Sequence, residues 1–151
     1  MLKTFNPDFT NTVKEKLQRQ FYMHLLEFEI ETVEIGLIEG TLVLQEKHKQ
    51  HKGFAHGGVI ATLADIVMGF AAVTLVPADH HVVTADLKIS YLSPGVGTAL
   101  VAKGWVLKQG KRLNFCEAEI FSIDGQGQKN LVAKASATMA TLPPTATSPQ
   151  N

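Results

Sequence analysis

Asp65 is the only charged residue between His56 and Asp79. Its surroundings are apolar: Val59, Ile60, Leu63, Ile66, Val67, Phe70 and Val73. A carboxylate in such a stretch is costly unless it is paired, hydrated or used. The unreactive alternative is an Asp that caps a neighbouring loop or hydrogen-bonds Thr62. Just upstream, His56-Gly57-Gly58 leads straight into a helix start. The first N–H groups of a helix have no internal partners and carry about half a positive charge. Glycine lets a ligand approach that backbone with no Cβ in the way. Such a turn can hold a carbonyl oxygen and stabilise the oxyanion formed from it. His56 is expected to brace the Gly57 turn by hydrogen bonding. Eight residues separate Gly57 from Asp65, which is about 12 Å along a helix axis. Both cannot act on one carbonyl within one chain, but a second subunit that sets its Asp65 beside the first subunit's Gly57 closes the gap.

The other reactive residue types point to less. His48, His51 and His56 share one loop, but no cysteine lies near and the spacing matches no common zinc pattern, so no metal is expected. His80 and His81 open a strand and read as exposed. Cys116 is the single cysteine. It excludes an internal disulfide, and on an apolar strand it reads as a packed thiol, not a nucleophile.

The elements that must position these groups follow from periodicity. Phe9, Val13, Leu17 and Phe21 recur every four residues among charged and amide side chains, which predicts an amphipathic surface helix capped by Asp8. Residues 27–35 alternate as a strand, 36–40 read as a turn, and 41–44 as the partner strand. After the polar loop 45–55 comes a helix that is apolar nearly all round and stops at Pro77. The stretch 57–76 is long enough to suggest a membrane span. However, Asp65 near its middle costs roughly 2.5–3.5 kcal/mol in hydrocarbon, so a helix buried in a soluble core is the reading. Strands are then predicted over 81–92, 99–108, 112–122 and 131–141, with turns at Ser93-Pro94-Gly95, Gln109-Gly110 and Asp124-Gly125-Gln126-Gly127, as in an antiparallel meander. The fold class is therefore α+β: a sheet of about five to six strands wrapped around one long buried helix, plus an N-terminal surface helix. Residues 1–142 read as one domain, and the proline- and threonine-rich tail 143–151 as disordered. Exposed sheet edges call for pairing with a second copy.

Basic and acidic residues balance at 14 each, so no general field exists to attract nucleic acid. The first seven residues carry no apolar leader or cleavage site, and a cytoplasmic location is expected.

The segment His56-Gly57-Gly58-Val59-Ile60-Ala61-Thr62-Leu63-Ala64-Asp65 resembles the HGG-x(6)-D signature of hotdog-fold acyl-CoA thioesterases, in the PaaI-like (phenylacetate-pathway) branch. Residues 83–94 are similar to that family's central strand and the turn after it, and 106–112 to its next hairpin. The resemblance covers roughly residues 27–141. It implies that the Gly57 N–H polarises the thioester carbonyl while Asp65 of the partner subunit acts as general base on water or as a nucleophile. It implies that Thr84 orients the water or the carboxylate. Many members carry an Asn six residues before the His; here that position is Gln50, a departure. Gly58, Tyr91, Ser93 and Pro94 are expected along the pantetheine channel, and Lys108, Lys111 and Arg112 at the phosphates of CoA. No cofactor is implied. The expected assembly is a dimer with shared sites, and a tetramer from two dimers. A hotdog dehydratase or hydratase, and a non-catalytic acyl-CoA binding protein, are the alternatives. The first would need His56 or His51 in the site.

Overall fold

The stretches of period four and period two separate into helices and strands along the chain. In the computed structural model, which describes residues 1–144, the order is α1 (Phe9–Gln18), α2 (Phe21–Leu26), β1 (Phe28–Glu34), β2 (Leu37–Val43), α3 (Gly57–Val73), β3 (His81–Tyr91), β4 (Ala99–Gln109), β5 (Leu113–Ile123) and β6 (Lys129–Leu142). Among the described residues, no helix is long and apolar enough to cross a membrane. Of the tail expected to be disordered, residues 145–151 lie outside the described residues.

The six strands form one antiparallel sheet in the order β1-β2-β4-β5-β6-β3. The sheet wraps α3, whose Leu63, Ala64, Val67, Met68, Ala71 and Ala72 are fully buried. Each large side chain among these contributes about 1.5–3 kcal/mol. A helix cap contributes about 1 kcal/mol, so burial against the sheet is what holds α3. This is the α+β hotdog arrangement expected.

Several local expectations are corrected. The strands after α3 are not a simple meander. β4, β5 and β6 are, but β3 pairs with β6 at the far edge, because α3 carries the chain across the sheet before β3 begins. Ser93-Pro94-Gly95 is therefore part of a crossover and not a hairpin turn. The first turn is confined to Ile35-Gly36, and Gly40 lies inside β2, where the Glu29 carbonyl and the Phe28 ring leave no room for a Cβ. The N-terminal helix breaks after Gln18, so Phe21 is not on its buried face but is 80% exposed on α2. Asp8 stands at the N-cap position without capping; its Oδ1 accepts from the Asn11 side chain at 2.7 Å. α3 ends at Val73, before Pro77, because Thr74 ties its hydroxyl to Ala71 O at 2.7 Å and the last turn tightens.

The backbone of α3 lies directly against the sheet at Gly104 on β4. A Cβ there would stand 2.7 Å from the Val67 carbonyl carbon and 2.8 Å from the Met68 amide nitrogen. Backbone cannot rotate away as a side chain can. Gly104→Ala should therefore lower stability by about 1–3 kcal/mol, the cost of overpacking a core, read as a fall of several degrees in the melting midpoint. An unchanged midpoint would mean that α3 lifts off the sheet freely.

Candidate active site

α3 and β3 build the centre of the site together. Thr84 on β3 donates to Asp65 Oδ1 at 2.6 Å, and Tyr91 on the same strand donates to the Gly57 carbonyl at 2.9 Å. Seven residues separate Thr84 from Tyr91. In a regular strand an odd spacing puts two side chains on opposite faces. A bulge between Thr84 and Asp86 changes the phase, so both face α3.

Asp65 is half-buried, on a face of α3 that includes Gly58, Thr62, Ile66 and Gly69 and is left partly open in the single chain. Thr84 holds one carboxylate oxygen. The same hydroxyl lies 3.5 Å from the Met139 sulfur. Thr62 does not bond Asp65. Its hydroxyl donates to Gly58 O at 2.9 Å and lies 3.3 Å from the Tyr22 hydroxyl.

At the helix start, His56 is the cap. Its Nδ1 accepts from the Gly58 N–H at 2.9 Å, which leaves the ring proton on Nε2. The Gly57 N–H has no acceptor among the described residues. The atoms nearest a Cβ at Gly57 would be those of the Tyr91 side chain, at an ordinary 3.5 Å. Nothing among the described residues therefore demands glycine at this position.

The loop before α3 is anchored from below. His48 is fully buried. Its Nδ1 accepts from Gln45 N–H at 3.0 Å and its Nε2 donates to Leu26 O at 2.8 Å. Lys47 pairs with Glu27 at 2.6 Å, and that bond, with a second from Gln45, holds the Glu27 carboxyl below its usual range. His51 sits on an exposed turn. The three loop histidines thus have separate surroundings. Gln50 closes the same turn, its Oε1 accepting from Lys52 N–H at 2.8 Å, so its side-chain NH₂ is what remains for a ligand.

The sequence-predicted residues fall into two clefts and one separate hairpin. Gln50, Gly57, Tyr91, Ser93 and Pro94 line a cleft of about 420 Å³ with Phe54 and Ile60. The β3–β4 crossover brings Ser93 and Pro94 there, and it is tied to the loop by Ala55 N–H donating to Gly95 O at 2.9 Å. Ser93 itself donates to Leu131 O. Asp65 and Thr84 line a second cleft, of about 520 Å³. Lys108, Lys111 and Arg112 are exposed at the β4–β5 hairpin. Lys111 borders a third cleft with Leu75, Val76 and Pro77, just past the C-terminal end of α3. The chain does not bring these cations to the Gly57 cleft. Sequence reasoning missed Tyr22, Met139, Lys16 and Arg19. No spacing pattern signals them, because the packing of α1, α2 and β6 around α3 puts them at the site.

Chemically, one half of the arrangement is a free backbone donor at a helix N-terminus, and the other a held carboxylate with one oxygen uncommitted. The sequence profile of the Thioesterase superfamily matches residues 52–128. A Caenorhabditis elegans protein, described only provisionally as an esterase, is 36% identical over 68% of this chain and 59% of its own length. Acyl-coenzyme A thioesterase THEM4 of Mus musculus is 33% identical over 90% of this chain and 54% of its own. The chain thus spans little more than half the length of these two relatives. A crystal structure of a thioesterase family protein from Silicibacter pomeroyi superposes with a TM-score of 0.87 at 27% identity, covering 89% of this chain and 98% of that one. The Escherichia coli PaaI protein shares the fold, with a TM-score of 0.77 at 20% identity over 89% of this chain and 93% of its own.

Cys116 stands apart from both clefts. It is buried on β5, and burial pushes its thiol up to about 12. The nucleophile is the thiolate, so the native protein should resist iodoacetamide at pH 8 and react once denatured. The sign of the linkage follows: the folded state is the better proton binder. This group's contribution to stability is therefore intact below the reference value of 9.0 and declines as pH rises toward about 12. Rapid alkylation of the folded protein at pH 8 would contradict this placement.

Proposed function

The chain belongs to the thioesterase superfamily, and on that footing we propose that it hydrolyses an acyl-CoA to a free carboxylic acid and CoA. The observation that carries the reading is the split site. A free Gly57 N–H lies in one cleft and an Asp65 held by Thr84 in the other, about 12 Å apart along α3. A homodimer with its two α3 helices antiparallel puts Gly57 of each chain beside Asp65 of the other and completes two equivalent sites. The open face of α3 and the unpaired outer edge of β3, where Val83 is 44% exposed, support an interface there. The outer sheet face exposes Leu113 and Phe115, which supports a second interface and a tetramer. Residues 1–142 act in this reading as one domain, in the cytoplasm.

In the reaction, the Gly57 N–H binds the thioester oxygen and stabilises it as negative charge develops. Tyr91 holds the Gly57 peptide in place through its carbonyl. Thr84 occupies Asp65 Oδ1, which leaves Oδ2 for the substrate or water. As base, Asp65 takes a proton from water while the water oxygen bonds to the carbonyl carbon. The C–S bond then breaks and the departing sulfur takes the proton. As nucleophile, Asp65 bonds to that carbon itself, expels the thiolate and leaves a mixed anhydride for water to cleave. Gly58, Ser93 and Pro94 border the pantetheine with Tyr91, and Gln50 offers its NH₂ to the substrate carbonyl or the water. Lys108, Lys111 and Arg112, which this chain leaves apart from the Gly57 cleft, would meet the CoA phosphates only as another subunit's residues. A hydratase would need His56 or His51 as a proton partner. His51 lies on an exposed turn and His56 Nδ1 is committed to capping Gly58 N–H, so only the Nε2 proton of His56 remains for that role.

Asp65→Asn should lower kcat for acyl-CoA hydrolysis by about 10²–10⁴ with the fold retained, the range for a positioned proton-transfer group. Near-normal turnover in the folded variant would sink the assignment of Asp65, whereas acyl-CoA binding with no turnover by the wild-type chain would leave a binding protein that has no use for Asp65. In single-turnover hydrolysis in isotopically labelled water, label in Asp65 would show the nucleophilic route with water attacking the aspartyl carbonyl of the anhydride, because the base route labels only the product acid.

Gly57→Pro should fold, because Pro suits the first helical position and His56, at φ −65° and ψ 134°, already has the extended conformation a following proline requires. It removes the polarising N–H. Mixed with Asp65→Asn chains, each inactive alone, it should regain activity on subunit exchange. Confirmed heterodimers that stay inactive would refute the shared site.

A further inference from the structure

The cleft that holds Asp65 and Thr84 continues away from them. One wall runs along α3 through Ile66, Phe70 and Val73, and the other back along β3 through Val83 and Val82 to His81. Asp65 to Val73 is about 12 Å along a helix, and Thr84 to His81 about 10 Å along a strand. The two rulers agree on a slot of medium length. Its sides are hydrocarbon, with Met139 from β6 among them.

The other end is different. The end of α1 and the residues just after it bring Lys16 and Arg19 to the cleft, and His81 borders it too. Lys16 Nζ reaches the backbone carbonyl of His80 at a long 3.5 Å, which places it at the end remote from Asp65. Neither cation forms an ion pair among the described residues. Asp65 is the only carboxylate that lines the cleft among the described residues, and it stands at the opposite end. A neutral chain filling this slot would end against the half-buried Lys16, with the exposed Arg19 also bordering the cleft, and would cost Lys16 hydration without giving it a partner. A chain ending in a carboxylate would pair with both, and Arg19 can do so with two parallel hydrogen bonds.

We propose that the acyl group this site selects is a medium-length ω-carboxyacyl group, its distal carboxylate held by Lys16 and Arg19. The inference rests on the thioesterase reading and names its substrate class. Phosphates of CoA are a second source of negative charge, and the test separates the two. Values of kcat/KM are measured for octanoyl thioesters and for suberyl thioesters, which have the same length and a terminal carboxylate. Each acyl group is carried on CoA and on N-acetylcysteamine, which has no phosphate. Suberyl should exceed octanoyl by roughly tenfold or more on both carriers, the lower end of the discrimination that a single pocket contact supplies. In the Lys16→Gln/Arg19→Gln double variant that ratio should fall toward one. In Lys16→Gln alone, the second readout if the double variant misfolds, it should fall by roughly threefold or more. A wild-type ratio at or below one overturns the inference, as does an unchanged ratio in folded Lys16→Gln. So does a double variant that weakens both CoA substrates equally and neither N-acetylcysteamine ester, which would place the phosphates at these cations. Hydrolysis of octanoyl-CoA without suberyl preference removes only this inference. Absence of all thioester hydrolysis removes the proposed function with it.

Discussion

The contact on which the rest depends is the seating of α3 on β4 at Gly104, where helix backbone and strand approach without a side chain between them. An apolar helix of 17 residues has to be covered on most faces, and one sheet can do that only by curling around it. The close approach lets Leu63, Val67 and Met68 sink fully into the sheet. Because α3 is also the link between β2 and β3, its length carries the chain from one side of the sheet to the far edge. That displacement makes β3 an edge strand and turns the segment after it into a crossover past the N-terminal end of α3.

Both consequences serve the candidate site. The crossover brings Ser93 and Pro94 to the cleft beside Gly57, which a hairpin in that place would not do. As an edge strand, β3 has one side free among the described residues, and its bulge has no neighbouring strand there to disturb. The bulge gives Thr84 and Tyr91 a common face, and through them β3 grips α3 at Asp65 and at Gly57. Strand and helix are locked in register by the two residues nearest the chemistry.

Asp65 illustrates how a carboxylate survives in an apolar helix. It is not buried outright. It lies on the one face of α3 the sheet leaves open, with a hydroxyl donor on one oxygen. Gly57 tells the complementary story. Among the described residues its N–H has no acceptor, and none requires it to be glycine. Both residues are arranged toward something outside the single chain. A partner subunit and a thioester between the two would answer each of them.

Much of this was legible in the residues. The chain order of helices and strands, the lone Asp65, the capped glycine turn and the eight-residue spacing that keeps Gly57 from Asp65 all follow from local periodicity and helix geometry, which depend on neighbours in sequence. Local pattern failed where chain connectivity in space was decisive. It read β3 as the neighbour of β4, because strands adjacent in sequence usually pair, and α3 overrode that. It continued α1 to Phe21, because a period of four carries no sign of where a second helix will turn away. It could not see the bulge beside Thr84, since two-residue alternation has no signature for one extra residue. Nor could it bring Lys16 and Arg19 to the cleft of Asp65, forty-nine and forty-six positions further on. Residues that far apart meet only when packing excludes water between the elements that carry them. The kinds of chemistry available were therefore set by the sequence, while the tertiary structure decided which groups share a cleft.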